Sequence, residues 1–330
     1  AIIWKLKQSP RVEKIYCAPG NGGISQDAEC VNIGPMEFDR LVAFAKEQKI
    51  DLTVVGMDDP LVGGIVDVFE QNGLRVFGPR KNAAIIEGSK AFSKELMKKY
   101  DIPTAGYETF DDFETAKAYV LTQEPPIVLK ADGLALGKGV LICQSQEEAV
   151  EGLKEMMIDQ KFGKSGTKVV IEEFLTGPEV SVLSFCDGKT VCPMVSAQDH
   201  KRAYDNDQGL NTGGMGTFSP SRIYTPEIAE TCMKEIFRPT VDAMAKEGRP
   251  FQGVLYFGLM LTPKGMKVIE YNCRFGDPEA QVVLPRLKTD LVDIMEACID
   301  QTLDQMDIQW EDNAAVCVVE ASGGYPEHYE

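Results

Sequence analysis

Histidine is scarce in this chain, which has only His200 and His328 among 330 residues. A Ser-His-Asp triad or a metal site built from several histidines is therefore not expected. Nine cysteines are present, an odd number, and no two of them form a Cys-x-x-Cys pair. We expect reduced thiols in a cytoplasmic protein, because disulfide frameworks and zinc sites need paired cysteines.

The chain also lacks a long apolar run and an excess of positive charge. No apolar run approaches the ~20 residues of a membrane-spanning helix, and residues 1–5 have the pattern of an amphipathic helix, unlike a signal peptide. The net charge is −17, whereas surfaces that bind nucleic acid or acidic membranes are basic. We therefore expect no nucleic acid and no membrane as partners, although a few lysines can still hold a small phosphorylated ligand.

The spacing of apolar residues predicts a mixed α/β chain. Short β runs at residues 14–17, 52–55 and 74–79 alternate with helical patterns, which is typical of a parallel sheet. The dinucleotide fingerprint Gly-x-Gly-x-x-Gly is absent, so no NAD site is predicted. Residues 125–177 have the pattern strand, loop, strand, helix, strand. Residues 197–218 show no periodicity and hold several glycines, which predicts a long functional loop, either a lid or a binding loop.

Glycines and lysines are concentrated in residues 127–142. Lys130 ends a β run, and Gly133, Gly137, Lys138 and Gly139 follow. A P-loop would need four residues between the glycines, then Ser or Thr after the lysine, then a helix. Here three residues intervene, and a second β run follows. We predict a glycine-rich β-hairpin whose N–H groups hold phosphate; a flexible surface hairpin with solvated lysines is the alternative.

A second candidate segment ends another predicted strand. Glu270 and Asn272 share one face because side chains alternate in a strand, and Ile269 and Tyr271 would then face the core. A carboxylate beside an amide oxygen suits Mg²⁺, which prefers oxygen ligands. Arg274 could bind a carboxylate or a developing negative charge in a bidentate manner. The alternative is an ion pair between Glu270 and Arg274 that caps the strand end.

A third segment, residues 169–179, is a predicted strand that runs into Gly177 and Pro178. Such a hinge offers backbone groups to an adenine edge, and Glu179 could accept the ribose hydroxyls. The alternative is that Glu172 and Glu173 are surface acids before a turn. Together the three segments predict a magnesium–ATP site that serves chemistry.

In order and type, these segments resemble the glycinamide ribonucleotide synthetase family of the ATP-grasp ligases. The resemblance covers essentially the whole chain, and its motifs lie at residues 88–92, 129–140, 171–175, 197–202, 211–216 and 274–281. It implies an α/β (α+β) architecture, in which an N-terminal Rossmann-like parallel-sheet domain precedes two α+β lobes that clamp ATP, with a truncated C-terminal domain. The implied parts are 1–88 (N-terminal domain, without its first strand and glycine-rich turn), 89–104 with 177–312 (central lobe), 105–176 (lid lobe) and 313–330 (start of the C-terminal domain).

The resemblance also implies a role for each matching residue. The expected ATP-binding residues are Lys90, Lys130, Gly133, Gly137, Lys138, Gly139, Glu172, Glu173, Phe174, Leu175 and Glu179. The expected substrate-binding residues are Asp199, His200, Lys201, Gly213, Gly214, Met215, Gly216 and Arg274. Glu270 and Asn272 would bind Mg²⁺ or Mn²⁺, and Arg274 and Lys130 would act in catalysis. Many ATP-grasp enzymes carry one more acidic metal ligand on the preceding strand, where this chain has Gly258, so phosphate and water are expected to complete the metal's shell.

The activity implied by the resemblance is the ATP-dependent ligation of glycine to 5-phosphoribosylamine through glycyl phosphate, in purine biosynthesis. The products are glycinamide ribonucleotide, ADP and phosphate, and the enzyme is expected to be a cytoplasmic monomer. Closure of the hairpin and of the 197–218 loop would exclude water. Two alternatives stand beside this activity: an ATP-grasp ligase for another carboxylate and amine, and a non-catalytic nucleotide-binding module.

Overall fold

The computed structural model describes residues 1–134, 139–206 and 208–328, with the side chain of Lys164 left out. The α-helices in these ranges are α1 Ile2–Leu6, α2 Phe38–Glu47, α3 Asp58–Gly63, α4 Ile65–Gln71, α5 Lys81–Gly88, α6 Lys90–Lys99, α7 Phe113–Val120, α8 Gln146–Met157, α9 Pro226–Cys232, α10 Arg238–Lys246, α11 Ala280–Val283 and α12 Leu291–Ile299. The strands are β1 Tyr16–Cys17, β2 Glu29–Cys30, β3 Thr53–Val54, β4 Val76–Phe77, β5 Tyr107–Phe110, β6 Ile127–Ala131, β7 Val140–Cys143, β8 Val169–Glu173, β9 Glu179–Asp187, β10 Val191–Pro193, β11 Gln198–Tyr204, β12 Gln208–Ser219, β13 Gln252–Thr262, β14 Gly265–Asn272 and β15 Ala315–Val318.

The N-terminal part contains the predicted parallel strands, but each strand is only two residues long. β1 pairs with β2 and β3 pairs with β4, both in parallel. In the described residues these pairs form two separate two-stranded sheets instead of one. Their helices still form a common core with the next part of the chain, because Val66, Phe69 and Ile86 lie in one apolar cluster with residues of β9, β13 and β14.

A four-stranded antiparallel sheet, in the order β5-β8-β6-β7, lies within the predicted lid lobe. Alternation along β6 and β8 separates its two faces. Ile127, Leu129 and Ile171 pack against the helices α7 and α8. Lys130 and Glu172 belong to the opposite face and reach α6 and β14. β6 and β7 form the predicted hairpin, in which Lys130 lies opposite Val140.

The central sheet has the order β10-β9-β13-β14 and is antiparallel throughout. Apolar clusters cover both of its faces. Leu255 and Phe257 belong to the cluster on one side, and Val254 and Tyr256 belong to the cluster on the other. A sheet buried on both faces is a rigid support for side chains at its edge strand β14.

A β-bulge interrupts the pairing of β13 with β14. Gly258 lies opposite Glu270 and Leu259 lies opposite Val268, so Ile269 has no partner across the ladder. Val268 and Tyr271 are both in the core although they are three residues apart. The prediction that Ile269 faces the core is therefore wrong, whereas Tyr271 is buried as predicted. The bulge also leaves the Ile269 carbonyl free to accept a hydrogen bond from Lys130.

The prediction of a long loop over residues 197–218 is wrong. β11 and β12 form an antiparallel hairpin, and β15 pairs with the other side of β12. Glycines in β12 hid the alternation that would have indicated a strand. One of them, Gly216, is required by packing, because a Cβ there would lie 2.8 Å from the Cys317 carbonyl oxygen of β15.

In the part of the chain that the structure describes, no helix has the length and apolar character needed to cross a bilayer.

Candidate active site

The N-terminus of α6 is bound directly to the base of the glycine-rich hairpin. The Ser89 hydroxyl caps α6 and donates to the Asp132 carboxylate at 2.9 Å, and the Ala91 N–H donates to the same carboxylate at 2.7 Å. Lys90, the first residue of α6, donates from Nζ to the Gly133 carbonyl at 3.0 Å. Two segments that the sequence predicted to bind phosphate therefore meet, with Lys90 between them.

Lys130 is held across the cleft between the lid sheet and the central sheet. Its Nζ lies 3.0 Å from Glu172 Oε1 and donates to the Ile269 carbonyl at 3.1 Å. The other oxygen of Glu172 lies 3.0 Å from Lys94 Nζ, and Lys94 also donates to the Thr104 hydroxyl at 2.8 Å. Burial lowers the pKa of Lys94 to about 8. The Glu172 carboxylate thus fixes Lys130. Because that carboxylate is engaged, only the backbone groups of Glu172 remain to bind an adenine edge.

We expect Glu172→Gln to destabilise the fold strongly. The Lys94, Lys130 and Glu172 side chains are each 6% exposed or less, and removal of one member of a buried charge group leaves uncompensated charge, at a cost of about 3–5 kcal/mol. The matched control is Glu173→Gln. Glu173 pairs with Lys267 at 2.8 Å but its side chain is 50% exposed, so its loss should cost less than about 1 kcal/mol. Urea unfolding measures both, and equal effects would contradict the role given to Glu172.

Glu270 is surrounded by lysines from three different elements. Lys201 Nζ lies 3.4 Å from Glu270 Oε1. The charges of Lys201, Lys130 and Lys90 lower the pKa of Glu270, although burial acts in the opposite direction. In turn Glu270 raises the pKa of Lys201 well above its usual value. Burial lowers the pKa of Lys90, and Glu270 opposes that change. One carboxylate and three amines therefore interact with one another by charge, a combination that suits a polyphosphate with its cation.

The sequence reasoning missed Glu87, the buried acid near the end of α5. Its Oε1 accepts from Asn272 Nδ2 at 2.8 Å and its Oε2 accepts from the Cys273 N–H at 2.7 Å. Arg274 Nη2 lies 3.6 Å from the same carboxylate, and burial raises the pKa of Glu87. The alternative of an ion pair between Glu270 and Arg274 is wrong for the described residues, because Arg274 pairs with Glu87. The sequence did offer one signal for Glu87, because it is an acidic residue that directly follows the apolar residues of α5, just before Lys90.

The donor atoms fit a magnesium ion that phosphate and water complete. Asn272 Nδ2 is engaged by Glu87, so the amide oxygen is the atom left for a cation beside the Glu270 carboxylate. Gly258 lies across the ladder from Glu270, and a Cβ there would lie 2.9 Å from Glu270 Cγ. An additional acid has no room at that position. Within the described ranges no group of three or more His, Cys, Asp or Glu side chains could hold a metal ion. A cation bound by Glu270 and Asn272 would take its other ligands from phosphate and water.

Strand β11 brings two charged residues to the site. Lys201 lies 3.4 Å from both Glu179 and Glu270, and the charge of Asp199 acts on Lys201 as well. His200 is exposed, and its ring lies beside that of Phe218. The structure therefore brings Asp199, Lys201 and Glu179 together with the metal-ligand candidates and does not bring His200 there.

The glycine segment of β12 is fixed by contacts on both sides. The Gly213 N–H donates to the Tyr325 hydroxyl at 3.2 Å, and the Met215 carbonyl accepts from the Val319 N–H at 3.0 Å. Gly214 has φ +123°, and a Cβ there would collide with the Pro278 ring and lie 3.0 Å from Asp199 Oδ1. Gly214 is thus the member of this segment that lies against Asp199, whereas Gly216 pairs with His200 and Val318.

The remaining ATP-binding candidates lie at the hinge and in the hairpin. Glu173 accepts from the Gly106 N–H at 2.9 Å and pairs with Lys267. Phe174 is 39% exposed and Leu175 is half-buried, so both are accessible beside the end of β8. The Gly139 carbonyl closes the hairpin by accepting from the Ala131 N–H at 2.8 Å. Gly137 and Lys138 lie outside the described residues, and their role stays a prediction.

Comparison with known proteins gives matches that include the segments of this site. The family model for the N domain of phosphoribosylglycinamide synthetase matches residues 1–87, and the model for its ATP-grasp (A) domain matches residues 88–280. The chain belongs to this family. Phosphoribosylglycinamide synthetase is the family that the sequence motifs indicated, and the ATP-grasp fold predicted from that resemblance is confirmed.

Individual relatives agree with the family assignment. The phosphoribosylamine–glycine ligase of Halalkalibacterium halodurans is 54% identical over 100% of this chain and 76% of its own length. The crystal structure of phosphoribosylamine–glycine ligase from Thermotoga maritima is 32% identical, with a TM-score of 0.85 over 99% of this chain and 79% of that one. The biotin carboxylase domain of Hydrogenobacter thermophilus 2-oxoglutarate carboxylase, solved with MgADP, is 18% identical, with a TM-score of 0.68 over 92% and 68%. It shares the fold.

Proposed function

We propose that this chain uses ATP to join glycine to 5-phosphoribosylamine and so forms glycinamide ribonucleotide, ADP and phosphate in purine biosynthesis. Membership of the phosphoribosylglycinamide synthetase family makes it a phosphoribosylamine–glycine ligase, a carbon–nitrogen ligase of the ATP-grasp class. The observation that carries the chemistry is the convergence of Lys90, Lys130 and Lys201 on Glu270. Such a site neutralises the charge of a transferring phosphoryl group.

The first step activates glycine. Its carboxylate is a poor electrophile, so it attacks the γ-phosphate of ATP to give glycyl phosphate and ADP. Lys130 is held in place by Glu172 and the Ile269 carbonyl, and it offsets charge on the phosphoryl group together with Lys90. Glu270 and Asn272 would hold Mg²⁺ or Mn²⁺, which supplies further charge neutralisation and orients the phosphates when bound.

The second step forms the amide bond. The amine of phosphoribosylamine attacks the carbonyl carbon of glycyl phosphate, and phosphate leaves. Arg274 is our candidate for orienting the glycine carboxylate or stabilising the tetrahedral oxyanion, because its guanidinium is fixed by Glu87 and by the Phe275 carbonyl at 3.0 Å. Exclusion of water protects the acyl phosphate from hydrolysis.

The remaining assignments concern the nucleotide hinge, location and assembly. We propose that Glu172, Glu173, Phe174 and Leu175 line the adenine and that Glu179 contacts the ribose, since all lie at or near the β8–β9 junction.

All nine cysteines are free thiols, which suits a reducing compartment such as the cytoplasm. We also propose a monomer.

A substrate panel tests the proposal. We expect ADP release that requires glycine, Mg²⁺ and phosphoribosylamine formed in situ from ribose 5-phosphate and ammonia. Other small amino acids and other amines serve as controls and should support less than a few per cent of that rate. A preference for another carboxylate would indicate a different ATP-grasp ligase. Tight ATP binding without phosphate release for any substrate pair would indicate a nucleotide-binding module.

A further inference from the structure

Formation of the amide bond requires a proton acceptor. As the amine nitrogen of phosphoribosylamine bonds to the carbonyl carbon, it becomes positively charged and must lose a proton to become an amide nitrogen. Histidine is the commonest acceptor of this kind, but His200 is exposed and its ring lies beside that of Phe218. Lys201 is engaged with two carboxylates, those of Glu179 and Glu270, each at 3.4 Å. The acceptor is therefore expected among the carboxylates.

Most carboxylates of the site are already engaged. Glu172 is paired with two lysines, and Glu87 is bonded to Asn272 and Cys273. Glu279 is 3% exposed, and its Oε1 accepts from the Ser181 hydroxyl at 3.0 Å and the Tyr256 hydroxyl at 3.1 Å. Glu270 is a candidate metal ligand. These groups hold other parts of the site in place.

Asp199 differs because one of its oxygens is buried without a hydrogen-bond partner. Among the described residues nothing donates to Asp199 Oδ1. That oxygen lies close to the Gly214 backbone, since a Cβ on Gly214 would lie 3.0 Å from it. The Asp199 carboxylate also interacts by charge with Lys201, which lies 3.4 Å from Glu270. An unpartnered buried oxygen beside the phosphoryl-transfer groups is suited to accept a proton from a ligand.

We propose that the Asp199 carboxylate accepts the proton that the phosphoribosylamine nitrogen loses as the amide bond forms. The nitrogen lone pair forms the C–N bond, and the C–O bond of glycyl phosphate breaks with its electron pair leaving on the phosphate oxygen. The proton passes from nitrogen to Asp199 Oδ1 and later to water. This inference rests on the proposed function, since it assigns a residue to the second step of the same reaction.

The charges around Asp199 support such a role. Burial and the charges of Glu279 and Glu179 together raise the pKa of Asp199 to about 7, although Lys201 and the His200 backbone N–H act in the opposite direction. Because Asp199 must be ionised to accept a proton, kcat/KM for phosphoribosylamine should fall as the pH drops below about 7, by roughly tenfold per pH unit. Two carboxylates in different environments are a common arrangement for acid–base work; here two hydroxyls hold Glu279, whereas Asp199 Oδ1 has no partner among the described residues.

The test compares two nucleophiles on Asp199→Asn. Hydroxylamine is weakly basic, so it traps glycyl phosphate without needing a protein base, whereas phosphoribosylamine needs one. We expect the variant to lose on the order of 10²–10⁴-fold in kcat with phosphoribosylamine, with little change in the KM for phosphoribosylamine and with hydroxylamine-dependent ADP release within a few-fold of wild type. The pH limb near 7 should disappear. The matched control is Asp205→Asn, an exposed acid in the same hairpin, which should behave as wild type.

Each of the other possible results of this test leads to a definite conclusion. If Asp199→Asn loses ADP release with both nucleophiles, or keeps both, the proton-acceptor role is overturned. A higher KM for phosphoribosylamine with unchanged kcat would make Asp199 a binding residue, which also overturns it. Failure of the wild-type chain to release ADP with glycine and either nucleophile would instead count against the proposed function. Retained hydroxylamine activity shows that the variant is folded.

Discussion

Glu270→Gln should reduce the rate of ADP release by on the order of 10²–10³-fold at saturating ATP and glycine, because it removes the charge of the proposed metal ligand. A bound divalent cation contributes several kcal/mol to the stabilisation of transition-state charge, and glutamine keeps the size of the side chain but not its negative charge. Steady-state ADP release at increasing Mg²⁺ measures the effect, and the apparent KM for Mg²⁺ should rise as well.

Removal of the Glu270 charge also leaves Lys201 with one carboxylate partner instead of two. The control for that change is Glu179→Gln, which removes the other partner of Lys201 at the same distance of 3.4 Å. We expect Glu179→Gln to raise the KM for ATP and to leave the Mg²⁺ response unchanged. Binding of Mn²⁺, followed by electron paramagnetic resonance in the presence of ADP, gives a readout that does not depend on turnover. Normal Mn²⁺ binding and full activity in Glu270→Gln would refute the metal assignment.

Local sequence patterns were enough to predict features that are formed by residues close to one another in the sequence. Alternation in a strand placed Glu270 and Asn272 on one face, and the three-residue spacing of the glycines identified residues 127–142 as a hairpin. Both predictions depend only on backbone geometry within a few residues. The family resemblance, which rests on motifs spread along the chain, supplied the ATP-grasp fold that neither pattern could give.

Features that depend on distant contacts were missed. The bulge at Ile269 arises from the pairing of β14 with β13, and no signal within the segment itself reveals that a residue lacks a partner. The strands β11 and β12 were predicted as a loop because β12 is rich in glycines, of which Gly214 and Gly216 serve close packing against Pro278 and β15. Residue preferences for secondary structure, taken alone, assign such glycines to loops.

The anchoring of Asn272 and Arg274 by Glu87 is a contact of the same long-range kind, and it leads to the second large expected effect. Glu87→Ala should lower kcat/KM for glycine and the affinity for Mg²⁺ by roughly 10–100-fold each, as loss of a group that orients a metal ligand usually does. The Glu87 carboxylate orients the Asn272 amide through Nδ2 and holds Arg274 by charge, so both would turn away from their working positions.

The two functions of Glu87 can be separated by substitution. Glu87→Gln keeps an oxygen that can accept from Asn272 Nδ2 or from the Cys273 N–H, but it removes the charge that faces Arg274. We expect Glu87→Gln to retain most of the Mg²⁺ affinity and to lose mainly kcat/KM for glycine, whereas Glu87→Ala loses both. Mn²⁺ binding and glycine kinetics on each variant measure the two effects. A purely structural role would instead lower the free energy of unfolding and reduce all kinetic parameters together in both variants, because Glu87 would then act only as a buried link between α5 and β14.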